Sequence, residues 1–440
     1  MMDATVAALM FPGLFLLIFL GIPIAFSLTL VSVVAGWFAF GPLVFQQLYG
    51  SVFSAASNYV LSSIPLFVLM GAILEKSGIA RNLFDAIQLW VGRLPGGLAL
   101  TTIAMAAIFA AASGVVGAVE IMIGLMAIPA MRAYRYNNSL ISGTICAGGS
   151  LGTIIPPTVI VVVYAALAQL SIGELFAAII FPGMLMIGLF AFYIVGRCLL
   201  RPEDGPAASP SENNIPLGVK VAITLKALVP PLLLMFSVLG SLLGGIASPT
   251  EAAAVGVAGA LILAITNGGI IFSSMVDSFA LTVRITAMIL LIVAGGTMFT
   301  GIFAVNGGGE MVVNIASGLG GGTTGVIFFF LGVTFLLGFV LDWTSIVLIC
   351  VPIFTPIVKQ MGIDPVWFAT LVLVTIQTSY LTPPMASSIF YLKSIAPKDI
   401  TYVQMCRGVL PFIAIQLVTL LLVALFPSMA TWLPERIVGF

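Results

Sequence analysis

Apolar residues run through the chain in long blocks, separated by short polar or glycine- and proline-rich punctuation rather than by strand-like alternation. A block of about 20 such residues is long enough to cross a hydrocarbon core as a helix. Blocks of that kind predict crossings at 5–24, 27–46, 56–76, 138–168, 173–197, 219–243, 250–267, 279–304, 364–394 and 408–431. Two further blocks, 97–131 and 324–360, are interrupted centrally, at Ser113-Gly114 and at Asp342-Trp343-Thr344. A through-going helix has no use for a break there, whereas a re-entrant hairpin needs a tip whose backbone is buried in protein or lines a cavity. Both blocks are expected to be hairpins. Residues 78–95 set Arg81, Asp85 and Arg93 among apolar positions, the pattern of an amphipathic helix lying at an interface. The hydrophilic stretch 199–218, rich in Pro, Ser and charge, reads as a linker.

Sliding the chain along itself by 227 residues places Pro129 on Pro356, Pro156-Pro157 on Pro383-Pro384 and Tyr164 on Tyr391, with Ser113-Gly114 just before Asp342. The expected architecture is therefore an all-α polytopic membrane protein of two repeats, 1–198 and 219–440, joined by the linker 199–218. Each repeat has five crossings and one hairpin. Five is odd, so the second is inverted relative to the first, the arrangement of secondary transporters whose sites lie between interrupted helices.

Composition sharpens this picture. The chain has 440 residues, 61% hydrophobic and 7% charged, and a soluble domain carries about a quarter charged residues. A net charge of zero leaves no footprint for nucleic acid. The absence of histidine removes the commonest general base and metal ligand. Cys146, Cys198, Cys350 and Cys406 are scattered without paired spacing and read as small apolar residues. The start, Met-Met-Asp, lacks a basic region, so the first block reads as a crossing and not a cleaved signal. With both termini periplasmic, Lys76, Arg81, Arg93, Arg132, Arg135, Arg197, Arg201, Lys220, Lys226, Arg284, Lys393, Lys398 and Arg407 fall on the cytoplasmic side. Only Lys359 and Arg436 fall outside, as the positive-inside rule requires of a multi-pass protein of a bacterial inner membrane.

Candidate chemistry gathers at the interruptions. In "CAGGSLGTIIPPT", Cys146 to Thr158, Gly148, Gly149, Gly152 and Pro156-Pro157 unwind the helix. The freed carbonyls, with Ser150 and Thr153, are hard oxygen ligands suited to Na+; the competing reading is a plain proline kink. In "IQTSYLTPPM", Gln377, Thr378, Ser379 and Thr382 offer oxygens at the same depth, against a reading of polar packing between helices. Asp342, costing about 2.5–3.5 kcal/mol at the bilayer centre, reads as a cation or proton partner or, alternatively, as a cap on the inner hairpin helix. Glu120 either faces a substrate cavity or pairs with a base or cytoplasmic water. Glu251 in Ser-Pro-Thr-Glu reads as a helix-capping residue, against a role in transport chemistry, and Arg284 either snorkels to the cytoplasmic interface or attracts an anion. Asn306 to Gly309 and Gly318 to Gly322 lack the strand context of a phosphate loop and read as hinges.

Those residues also carry a resemblance. "LPGGLA", "ASGVVGAVE", "IPAM", "GTIIPPTVIVVVYA", "SPTEAAAVGV", "VRITAMILLI", "GIDPVWFATLVLV" and "LTPPM", in this order, resemble the large membrane subunit of tripartite ATP-independent periplasmic (TRAP) transporters. The resemblance implies a transporter, not an enzyme: an elevator-type carrier with scaffold and transport domains, driven by Na+ at two or more sites. It also implies a small four-helix membrane subunit, a periplasmic substrate-binding protein and an organic anion, usually a carboxylate, as substrate. Carried over by position, one cation site uses Ser113, Gly114, Gly149, Ser150 and Gly152, and a second uses Asp342, Thr344, Thr378 and Thr382. Substrate lies between the tips and bends, at Thr153, Pro156, Pro157, Glu120, Ser379, Pro383 and Pro384. Val115-Val116-Gly117 departs from the smaller polar residues of the family and moves weight in the first site onto backbone carbonyls. The rival readings are a stand-alone carrier of the same superfamily, a channel, or an intramembrane aspartyl enzyme, which needs two close carboxylates.

Overall fold

The computed structural model describes residues 2–113, 116–207, 216–267, 272–318, 322–383 and 386–437. These form helices and no strand. In chain order the helices of the first half are α1 (Met2–Phe19), α2 (Ile24–Phe40), α3 (Val44–Ser57), α4 (Ser63–Lys76), α5 (Ile79–Val91), α6 (Gly97–Ser113), α7 (Val116–Ala133), α8 (Asn138–Ser150), α9 (Val159–Ala168) and α10 (Ile172–Leu200). Those of the second are α11 (Leu217–Leu243), α12 (Pro249–Thr266), α13 (Phe272–Val305), α14 (Gly308–Gly318), α15 (Gly322–Leu337), α16 (Trp343–Gln360), α17 (Pro365–Leu381), α18 (Ser387–Ile395), α19 (Tyr402–Leu425) and α20 (Ser428–Ile437).

Seven helical segments among the described residues are long and apolar enough to span a bilayer. The expected crossings 138–168 and 364–394 are each split into two short helices, so neither piece qualifies alone. α16 qualifies by length although the sequence pattern reads it as one arm of a hairpin. Three helices were not anticipated: α3, α14 and α20, the last separate from the crossing expected over 408–431. α3 occupies the gap between expected crossings and extends α2 through a short turn, and the crossing expected from residue 56 becomes helical only at Ser63. α14 follows the Asn306–Gly307 turn, where the Asn306 side chain donates to the Ile302 carbonyl at 2.7 Å. The amphipathic pattern at 78–95 is realised as α5, bent 64° from α4 at Gly78, which takes a φ of +72°. Its Leu83, Phe84 and Ile87 are buried while Arg81 and Asp85 face outward. The linker is not wholly free: Asp204 is buried, pairs with Arg197 at 2.9 Å, and its carbonyl accepts the Asn137 N–H, so residues 201–207 dock on the helix ends.

Polar contacts sort the helix ends into two faces. At one, Tyr59 bonds Ser248 at 3.0 Å, beside the capping box in which Glu251 and Ser248 close the start of α12. At the other, Lys76 pairs with Asp277 at 2.9 Å, Asn82 meets Asn267, and Trp90 donates to Thr224 beneath the Lys220 ammonium. Packing separates the helices into two sets: α2, α3, α4, α11, α12 and α13 interlock in one, and α8, α10, α17, α19 and α20 in the other. Large apolar side chains such as Phe38, Phe192, Phe236 and Leu200 face outward. The reverse holds for α8 and α17, which are buried along nearly their whole length. The two helices that break are thus the two most shielded from lipid, which is where freed backbone is tolerated.

Candidate functional site

The breaks are local consequences of sequence. α8 starts at Asn137, whose side chain accepts the Ser139 N–H at 2.9 Å, and ends where Gly148-Gly149 and the following glycine and prolines withdraw helix propensity and donors. A single tight turn, Leu151–Thr153, and an irregular stretch through Pro156-Pro157 to Thr158 follow before α9 begins. The second broken helix repeats the plan. Asp364 caps α17 by accepting the Val366 and Trp367 N–H groups at 2.8 and 2.7 Å, the helix ends at Leu381, and α18 resumes after Ala386, a non-glycine residue at φ +36°. At the 227-residue offset the caps Asn137 and Asp364 coincide, α7 and α16 coincide at both ends, and α9 and α18 end together.

The halves are interlaced around these breaks. α7 packs on α18 of the other half, and α16 packs on α9. Gly117 lies against the Tyr391 ring, where a Cβ would stand 2.6 Å from the nearest ring carbon. One helix turn further on, Glu120 is fully buried, accepting Tyr380 Oη–H at 3.2 Å and Ser388 Oγ–H at 2.5 Å. The carboxyl therefore faces hydroxyls of the second half and not solvent. Gly149 exists to let it pass, because a Cβ there would sit 2.7 Å from the Glu120 side chain. At the second break, residues 338–342 turn between α15 and α16. Asp342 caps α16, accepting Thr344 N–H at 3.0 Å and the Ser345 hydroxyl, so the capping alternative describes its contacts here. Gly338 presses this turn onto the end of α17: its Cβ would lie 2.1 Å from that of Ser379.

That contact makes a prediction. Gly338→Ala is expected to cost about 1–3 kcal/mol by overpacking. Adding Ser379→Gly should recover most of it, because it removes the Cβ the new methyl meets. Thermal unfolding of the two single variants and the double variant measures the coupling; additive losses would mean that the turn and α17 do not touch as described.

Around the bends the hydroxyl protons are already committed to the helix backbone. Thr153 donates to Ser150 O at 2.8 Å, Thr378 to Val374 O at 3.0 Å, Ser379 to Thr375 O at 2.9 Å and Thr382 to Thr378 O at 2.7 Å. Each such oxygen keeps its lone pairs for an incoming cation or donor. Ser150 is different. Its hydroxyl donates to Ala147 O at 2.8 Å and receives the side-chain amides of Gln377 at 3.3 Å and Gln416 at 3.2 Å. The structure thus brings Gly149, Ser150, Gly152, Thr153, Pro156 and Pro157 together on one bend, with Gly152, Pro156 and Pro157 buried, and sets Thr378, Ser379, Thr382 and Pro383 on the other. Thr344 is buried at the start of α16. Gly114 and Pro384, and the side chain of Ser113, lie outside what the structure describes. Sequence reasoning passed over Gln416, Tyr380 and Ser388. The available signal for Gln416 was an amide inside the apolar run "FIAIQLVTLLL", a polar group with no purpose in lipid.

Comparison with known proteins gives this arrangement its place. The family described as "Tripartite ATP-independent periplasmic transporter, DctM component" matches residues 11–429. The C4-dicarboxylate TRAP transporter large permease protein DctM of Pseudomonas aeruginosa is 32% identical over 401 residues, 90% of this chain and 91% of that protein. The ectoine/5-hydroxyectoine large permease protein UehC of Ruegeria pomeroyi is 29% identical, covering 98% of this chain and 99% of its own. The sialic acid large permease protein SiaM of Vibrio cholerae is 27% identical, covering 96% and 97%. Among solved structures, the YdaH transporter of Alcanivorax borkumensis shares the fold with a TM-score of 0.64 at 17% identity over 89% of each chain. Two interlaced halves around two helix breaks, in a chain matched almost end to end, make this protein a membrane transport protein and not an enzyme, a member of the TRAP transporter large permease family.

Proposed function

We propose that the chain is the ion-coupled carrier of a tripartite importer: it moves an organic anion by Na+ symport, braced by a small membrane subunit and supplied by a periplasmic binding protein. The observation that carries this reading is the pair of helix breaks at equivalent positions of the two halves. Unwound backbone within a membrane is held where it is buried in protein or lines a cavity, and paired breaks of this kind are where secondary transporters place their sites. Supporting it, the hydroxyls of Thr153, Thr378, Ser379 and Thr382 present lone pairs, not protons, at the bends. α9 and α18 begin beside the bends without a side-chain cap among the described residues, an arrangement in which a helix N-terminus favours a carboxylate nearby. The relatives' named solutes include C4-dicarboxylates and sialic acid, consistent with an anionic cargo.

When bound, Na+ supplies positive charge between bend and tip. The chain's own residues would do the rest: Asp342 and Thr344 hold the start of α16, Thr378 and Thr382 offer oxygens from the end of α17, and Pro156-Pro157 and Pro383 keep the two bends from rewinding. The set containing α8, α17 and α19 moves as a loaded unit against the set containing α4, α12 and α13, with the face bearing Lys76, Trp90 and Lys220 cytoplasmic, in accord with the positive-inside rule.

Uptake into proteoliposomes containing this chain and both partners tests the reading. An inward Na+ gradient is expected to drive saturable accumulation, and Thr378→Val to raise the half-saturating Na+ concentration severalfold. Equal uptake with choline in place of Na+ would discard the ion coupling. Uptake without the binding protein would favour a stand-alone carrier, and unsaturable current a channel.

A further inference from the structure

The Ser150 hydroxyl has nothing left to offer a cation. A hydroxyl has one proton and two lone pairs. Here the proton goes to Ala147 O, and the lone pairs take N–H groups from Gln377 and Gln416. The same count orients both amides. With the Ser150 proton committed, each amide must turn its N–H side inward; reversing either would set carbonyl oxygen against an oxygen with no proton to give. The outer halves of both amides, Gln377 Oε1 and Gln416 Oε1, are then left without a hydrogen-bond partner among the described residues, on side chains at 0% exposure. A buried polar atom left unpaired costs about 1–3 kcal/mol. Two such oxygens, on amides anchored by one hydroxyl where α8, α17 and α19 meet, are neutral hard-oxygen donors, the type of ligand that suits Na+.

We propose that Gln377 and Gln416 present their side-chain carbonyl oxygens to the coupling cation, and that Ser150 is the positioning residue that aims them and not itself a ligand. The inference rests on the Na+-coupled reading above and changes its chemistry. The bend supplies backbone and a locked hydroxyl, α17 and α19 supply the oxygens, and α19, outside both breaks, joins the site. It also makes the site a joint product of the repeats, because Ser150 and Gln377 stand at equivalent positions 227 residues apart and touch each other.

The test is thermal unfolding of the purified full chain titrated with NaCl, choline chloride holding ionic strength constant. Wild type is expected to gain stability saturably. Gln416→Met and Gln377→Met, which keep side-chain shape and remove the carbonyl, should each raise the half-saturating Na+ concentration by about tenfold or more, the equivalent of one lost charge-assisted contact. In choline alone both should melt at or above wild type, since an unpaired oxygen has gone; that measurement also shows that they fold. Gln416→Glu, which retains an oxygen, should restore Na+ stabilisation, and Ser150→Ala should weaken it less than either Met variant. Unchanged half-saturation in both Met variants, with wild type still responsive, would overturn this inference alone and leave the amide oxygens to water. A wild type indifferent to Na+ would overturn the coupling reading along with it.

Discussion

Gly143→Ala is expected to cost about 3 kcal/mol or more, the upper end of what overpacking produces, because nothing at its site can give way. A Cβ on Gly143 would stand 2.1 Å from the Gly408 carbonyl oxygen and 2.6 Å from its carbon, and the reciprocal Cβ on Gly408 would stand 2.1 Å from Ser139 O. These are backbone atoms, so α8 and α19 must part. Small residues at helix crossings in lipid serve this purpose, letting backbones approach where no hydrophobic force draws the helices together. The loss should reach function, since the same two helices carry Ser150 and Gln416. Melting of Gly143→Ala and Gly408→Ala measures it. Gly332→Ala, on an exposed part of α15 with nothing within 4 Å, is the control, expected to be neutral or stabilising by about 0.5–1 kcal/mol. If all three variants melt alike, the α8–α19 crossing is looser than described.

Removing Glu120 should be nearly as damaging. Glu120→Ala leaves a cavity and strips the Tyr380 hydroxyl of its acceptor in a fully buried setting, together worth about 2–5 kcal/mol. Ser388 loses less, because the Cys146 carbonyl lies 3.4 Å away as a second acceptor. The damage falls at a junction of the halves, where one side chain of α7 ties α17 to α18. Glu120→Gln keeps the shape and a carbonyl for one hydroxyl, and its NH2 group can meet the other oxygen. That variant is expected to retain most of the stability that the Ala variant loses, and uptake by the Ala variant should fall at least as far as its stability. Equal melting of wild type and Glu120→Ala would mean that the carboxyl is not what joins α7 to the second half.

The helical class, the two interruptions and their 227-residue spacing were legible because each has a one-dimensional cause. Lipid demands long apolar blocks, and glycine and proline break a helix wherever they stand. The glycines and prolines of the first bend were legible for the same reason. Gln416 was not, since its meaning depends on α19 crossing α8 at Gly143 and Gly408, over 260 residues apart in sequence. Asp342 is a different case. As an acidic residue in an apolar block it draws attention for its charge, and only the fold shows that its carboxylate caps α16.

By itself the sequence determined that this chain lives in a membrane, repeats its plan once, and opens its backbone at two places. Those are matters of hydropathy, period and propensity, which a string of residues carries without folding. Only the tertiary structure decided which oxygens are spoken for and which are left over: Ser150 saturated, Gln377 and Gln416 half-satisfied, Glu120 shut away among hydroxyls. Satisfaction of a polar atom is a property of its neighbours in space, and in lipid, with no water to make up a missing partner, that difference separates a structural hydroxyl from a candidate ligand.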